Sequence, residues 1–154
     1  PNKHSGQQKK PMKITPLRPS ESIESVILPF FSSSVPAGFP SPADDYIEAG
    51  LDLNEYLVKH PSATYLARAS GDSMTKAGIL DGALLVVDKS ITPKTGHIVI
   101  AAINGELTCK ILDIEHRLLR AANPSYPSVA LNEDLDLLIE GVVVHAINPM
   151  MNQS

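Results

Sequence analysis

The stretch HIVIAAINGELTCKIL, His97 to Leu112, decides how this chain is read. Two runs of strand-forming residues, His97–Ile103 and Glu106–Leu112, are separated by Asn104-Gly105 alone. Asn-Gly tolerates positive φ at both central positions of a two-residue turn, and the resulting type I′ geometry matches the twist of the strands it joins. The stretch therefore predicts a tight β-hairpin. Successive side chains of a strand face opposite ways, so Lys110 shares a face with Thr108 and Leu112 while Cys109 and Ile111 point to the other.

Working outward, similar short runs occur at Thr64–Ala69, Ala83–Asp88, Arg117–Ala121 and Leu135–Ile147, with turn formers at Asp81-Gly82 and Asn123-Pro124-Ser125. Aliphatic and β-branched runs punctuated in this way predict a mostly β domain of short strands. Aromatic residues make up 5% of the 154 positions and Trp is absent, so the core must be filled by Val, Ile, Leu and Ala. Eight of the thirteen prolines fall between positions 1 and 42. Each removes a backbone donor and fixes φ, which predicts an extended, partly disordered N-terminal arm over residues 1–41 ahead of a β domain over 42–154. Within the arm the apolar patch Val26–Phe31 predicts a docking segment. Asp44–Leu57 scatters Tyr46, Ile47, Leu51 and Leu53 among acids around Gly50, a pattern for one or two short helices. Pro1–Pro11, which precede Met12, are expected to be upstream or tag-derived and are set aside from the fold.

Composition removes several functions. A formal net charge of -4 argues against direct neutralisation of many phosphates, so a link to nucleic acid would run through partners. The single Cys109 forms no intramolecular disulfide and fits a reducing compartment such as the cytoplasm. The longest apolar runs, Ile98–Ile103 and Gly141–Ile147, are too short for a bilayer, and the lysine-bearing first ten residues lead into no apolar stretch of a secretory signal. The five His residues, at 4, 60, 97, 116 and 145, lack paired metal-ligand spacing. There is no glycine-rich phosphate loop and no Gly-x-Ser-x-Gly elbow, so neither a metal nor a cofactor is expected.

Chemistry is left to Ser70-Gly71-Asp72-Ser73-Met74, directly after the run Thr64–Ala69. A serine at a strand-to-turn junction can project its hydroxyl where neighbouring backbone N–H groups converge, giving a nucleophile beside oxyanion donors. An ordinary Ser-Gly turn is the alternative. Such a serine needs a base, and a lysine serves if burial disfavours its ammonium form. Lys110, in the apolar run Leu107–Leu112, fits that role, and a lysine snorkelling from a strand edge is the alternative.

The words Ala37-Gly38-Phe39-Pro40-Ser41-Pro42-Ala43, His60-Pro61-Ser62-Ala63-Thr64-Tyr65, Ser70–Met74, Asp81-Gly82, Val86-Val87-Asp88, Gly105–Lys110 and Gly141–His145 resemble, in order and spacing, the UmuD and MucA family. The resemblance spans roughly Pro29 to Ile147. It implies a LexA- and signal-peptidase-like β domain with a Ser-Lys dyad: Ser73 as nucleophile, Lys110 as general base, and self-cleavage between Ala37 and Gly38. The backbone N–H groups of Ser73 and Met74 become the candidate oxyanion donors. It further implies stimulation by a RecA filament on single-stranded DNA during the SOS response. The product would be a homodimer serving a UmuC-type translesion DNA polymerase. The rival reading is a LexA- or phage-repressor-like regulatory cleavage domain lacking its DNA-binding part. A signal peptidase would need a membrane anchor, and in a purely binding module Ser73 would sit in an inert turn.

Overall fold

The computed structural model describes residues 10–17, 27–28 and 50–151. Its elements, in chain order, are β1 (Lys13–Leu17), β2 (Ile27–Leu28), β3 (Leu51–Asp52), α1 (Leu53–Leu57), β4 (Thr64–Ser70), β5 (Leu84–Asp88), β6 (Ile98–Ile103), β7 (Glu106–Asp113), β8 (Leu118–Arg120), β9 (Val129–Ala130) and β10 (Leu137–Ile147). The chain divides into two compact units, Pro1–Pro19 with His60–Ser154, and Ser20–Lys59. In the smaller unit β2 pairs with β3, and Asp52 caps α1 by accepting the Asn54 N–H at 2.9 Å. Only part of the expected helical stretch is helix: α1 spans Leu53–Leu57, and residues 44–49 lie outside the described residues.

The larger unit is a curled antiparallel sheet in the order β1-β4-β5-β10-β6-β7-β8-β9, which bears out the mostly β reading. The hairpin forms as its turn chemistry dictates. β6 and β7 pair from Ile98 opposite Ile111 to Ile103 opposite Glu106, and φ is +50° at Asn104 and +86° at Gly105. β10 lies at the centre, and its register slips beside Gly141. There φ is +141° and a Cβ would stand 2.6 Å from Val87 Cγ1, so only glycine lets β10 bend against β5.

Packing follows the alternation of each strand. Ala67, Ala69, Leu85, Val87, Ile100 and Cys109 contribute to one cluster, and Val99, Ala101, Leu112, Leu119 and Val142 form a second. β7 feeds both, with Cys109 in the first and Leu112 in the second. Apart from Met12, Met74 and Cys109, every buried hydrophobic among the described residues is Val, Ile, Leu or Ala.

The N-terminal segment departs from the sequence reading. Residues 13–17, expected in an irregular arm, are a strand in register with β4 from Lys13 opposite Ser70 to Leu17 opposite Leu66. Lys10 and Pro11, set aside with the upstream residues, are also part of this unit: Lys10 O accepts the Asp72 N–H at 2.7 Å. Two forces overcome the prolines. Met12 and Ile14 are buried in the first cluster, and β1 is an edge strand, where Pro16 leaves no interior ladder broken.

At the far end of β7, Asp113 is nearly buried and ties β7 to β8, accepting from Arg120 Nε at 2.7 Å and from the His116 backbone N–H at 3.1 Å. Burial raises its pKa, but the Arg120 and His116 bonds outweigh that and hold the carboxyl at about 2. A depressed carboxyl contributes stability above its unfolded value, near 4, and loses it as pH falls through the folded value. Asp113→Asn should therefore be less stable than wild type at pH 7, and urea melts should show the gap closing between about pH 4 and pH 2.

Candidate active site

β4 ends at Ser70, and the chain turns through Gly71, whose φ of +109° few side chains tolerate. Its N–H donates to Asp81 Oδ1 at 2.8 Å, so the two turns read separately from sequence lock onto each other. The loop over residues 122–126 clamps the next residues. The Ala122 N–H donates to Ser73 O at 2.8 Å, Asn123 Nδ2 to Asp72 O at 2.8 Å, and the Tyr126 hydroxyl to Asp72 Oδ1 at 2.5 Å. Burial, then the bond and charge of Asp72, push the Tyr126 phenol up to about 12, so it stays a donor. Ser73 is held from both sides by its neighbours.

The Ser73 side chain is fully buried, and its Oγ accepts the Met12 backbone N–H at 3.1 Å. Lys110, on β7, is 8% exposed and lines a groove of about 540 Å3 with Pro11–Thr15 and Thr108. Thr108 Oγ1 donates to Met12 O at 2.9 Å. Among the described residues no hydrogen bond joins Ser73 to Lys110; both border the same segment, since Met12 bonds Ser73 through its N–H and its carbonyl is held from β7 two residues before Lys110.

Burial lowers the Lys110 pKa, with the neighbouring Cys109 acting weakly in the opposite direction. Lys110 makes no ion pair among the described residues, so nothing there compensates an ammonium for lost water. Cys109, buried in the core, is itself pushed up to about 12 by burial and stays a thiol. The arrangement suits a neutral amine able to take a proton.

Of the His residues, His60 pairs with the buried Asp88 at 2.6 Å, and Asp88 also accepts from Ser90 Oγ at 2.6 Å. The carboxylate stands between serine and imidazole, whereas acyl transfer by this trio needs the imidazole between them. This cluster braces the ends of β4 and β5. Among the described residues no group of three or more His, Cys, Asp or Glu could hold a metal ion, and no helix is long and apolar enough to cross a membrane.

Sequence reasoning missed three parts of the site: the backbone of residues 10–12, the Asp72 N–H that points at a carbonyl next to the nucleophile candidate, and the Asn123–Tyr126 clamp. Asn123-Pro124-Ser125 announced a turn but not its partner, because that partner lies some fifty residues away. Ala37 and Gly38 lie outside the described residues, as does most of the Val26–Phe31 patch.

The structure is a curled β sheet with a buried serine and a buried lysine bordering one segment, and comparison with known families places it in a peptidase class. The chain belongs to the Peptidase S24-like family, whose profile matches residues 29–144. It is similar to protein SamA of Salmonella typhimurium, 48% identical over 121 residues, covering 78% of this chain and 84% of SamA. Protein ImpA of Escherichia coli is 44% identical over 131 residues, covering 81% and 86%. Protein MucA of Escherichia coli is 41% identical over 138 residues, covering 88% and 94%. The resemblance to MucA-type proteins noted from the sequence is thereby borne out.

The Lys110 environment has a measurable consequence for stability. A lysine whose pKa is lower folded than unfolded leaves the unfolded chain with more protons between the two values, so stability rises with pH across that interval. Lys110→Met removes the buried amine. The variant should be more stable than wild type at pH 7, and the advantage, followed by urea unfolding, should shrink as pH climbs toward about 10.

Proposed function

We propose that this chain is a self-cleaving Ser-Lys peptidase of the SOS response that cuts its own Ala37–Gly38 bond. Ser73 is the nucleophile and Lys110 the general base. Neutral Lys110 takes the Ser73 hydroxyl proton as Oγ attacks the Ala37 carbonyl carbon, and then delivers that proton to the departing Gly38 nitrogen. Water, deprotonated by Lys110, hydrolyses the resulting ester, which frees the Ala37 carboxylate and restores Ser73. Backbone N–H groups of Ser73 and Met74 are the oxyanion donors read from sequence, and the Asp72 N–H joins them as a candidate. The small side chains at Ala37 and Gly38 suit a narrow groove.

The observation that carries this reading is the burial of both Ser73 and Lys110 against one extended backbone segment, with the lysine lacking a carboxylate partner among the described residues. Membership of a peptidase family and similarity to MucA support it. Cleavage is stimulated by a RecA filament on single-stranded DNA in the cytoplasm. The product from Gly38 onward is a homodimer that serves a UmuC-type error-prone polymerase, without contacting nucleic acid itself.

Incubation of the purified chain with RecA, single-stranded DNA and an ATP analogue tests the assignment. Wild type should yield a fragment beginning at Gly38 by mass spectrometry, and Ser73→Ala should stay intact under the same conditions. Equal behaviour of the two chains would reject the enzyme.

Unassisted cleavage should also respond to pH. The neutral fraction of Lys110 grows as pH rises toward its lowered pKa, so the rate should climb from neutral to mildly alkaline pH. Lys110→Ala should abolish the climb and slow cleavage by about 10²–10⁴-fold. A flat wild-type profile would contradict the assigned base.

A further inference from the structure

The segment that covers Ser73 belongs to the chain itself, and its bonding is that of a peptide seated in a binding groove. Lys10 O accepts the Asp72 N–H at 2.7 Å, and Lys10 N lies 3.4 Å from Asp72 Oδ1. Met12 N donates to Ser73 Oγ at 3.1 Å, Thr108 Oγ1 donates to Met12 O at 2.9 Å, and the following five residues extend the sheet on β4. The approach is so close that a Cβ on Gly71 would stand 2.4 Å from Pro11 O and 2.5 Å from Lys10 O. One wall of the groove that Lys110 lines is this same segment, residues 11–15.

An attacked carbonyl carbon must come to about 3–3.5 Å from the serine oxygen. That space is taken by Met12 N. The segment itself is held in a way that prevents reaction, because an N–H donates in the plane of its amide whereas a nucleophile must approach the carbonyl carbon from above that plane. Ser73 Oγ therefore faces the nitrogen edge of the Pro11–Met12 amide, and one of its lone pairs is engaged. The preceding Lys10–Pro11 amide offers no N–H for a groove to grip.

We propose that Lys10–Leu17 is a built-in pseudosubstrate: it fills the peptide-binding groove of the Ser73–Lys110 site and must be displaced before any other segment can be cut there. This rests on the function proposed above and adds a regulatory step to it. The strand is suited to leaving. It is an edge strand with a proline at position 16, and it contributes only Met12 and Ile14 to the buried core. Displacement would free the Asp72 N–H, the Ser73 hydroxyl and the Thr108 hydroxyl together, the groups an incoming extended peptide would need. Slow unassisted reaction and acceleration by a partner that captures the released strand both follow from one equilibrium.

Thr15 and Arg68 are exposed and lie directly opposite in the β1–β4 register. Opposed residues of an antiparallel pair have Cα atoms about 4.5–5.5 Å apart, within disulfide range. The full chain carrying Thr15→Cys with Arg68→Cys would lock the strand in place when oxidised, and the buried Cys109 is not positioned to compete. Unassisted cleavage at alkaline pH is followed by mass spectrometry with and without reductant. The reduced double variant sets the reference rate, and the same chain oxidised should cleave at least about 100-fold more slowly, with recovery on reduction. Equal rates before and after reduction would overturn the pseudosubstrate while leaving the peptidase intact. Failure of the wild-type and reduced chains alike would overturn the peptidase reading, and the inference with it. Ile14→Ala gives a second measurement: trimming one of the two side chains that anchor the segment in the core should speed cleavage several-fold, and an unchanged or slower rate counts against the proposal.

Discussion

The structure turns on an amine that is denied its water. Lys110 sits on a strand whose neighbours, Leu107, Cys109, Ile111 and Leu112, all pack into or against the core, and residues 11–15 wall the groove that it lines. In water an ammonium is among the most strongly solvated side-chain groups. Here the described residues provide no carboxylate to replace that solvation, so the neutral form gains ground. Every other feature of the site either produces this burial or makes use of it.

The sheet produces it by curling. β1 and β7 lie far apart in the hydrogen-bonded order, yet Thr108 of β7 reaches the Met12 carbonyl just ahead of β1. Ser73 and Lys110 both border this junction, Ser73 through its bond to Met12 and Lys110 as a lining residue of the groove. Rigidity on the serine side comes from a polar network. Asp72 is gripped through its carbonyl by Asn123 and through its carboxylate by Tyr126, and Gly71 is tied to Asp81. A serine fixed in this way, acting in the proposed role, would lose little freedom on reacting, since its backbone is already committed to one geometry.

Much of the β architecture was legible because it is written in short-range chemistry. Asn104-Gly105 specifies a turn by its tolerance of positive φ, and the six expected runs reappear as strands to within a residue or two at most ends. Ser73 and Lys110 could be singled out as unusual, one at a strand end, the other in an apolar run. β1 could not. Its five residues contain a proline, and it is a strand only because β4, fifty residues later, offers a ladder and the core accepts Met12 and Ile14. The two-residue strands β2, β3 and β9 are equally silent, being too short to show periodicity.

The amino-acid order alone determined the hairpin, the β character of the domain and the aliphatic core, and it singled out Ser73 and Lys110 as candidates, since each depends on a residue's own conformational or acid-base properties. Tertiary structure decided what surrounds those two residues: the Asp72 clamp, the loss of water around Lys110, and the strand laid across Ser73. These arise from pairing and burial between segments fifty to one hundred residues apart, whose free energy exists only once the chain has closed on itself.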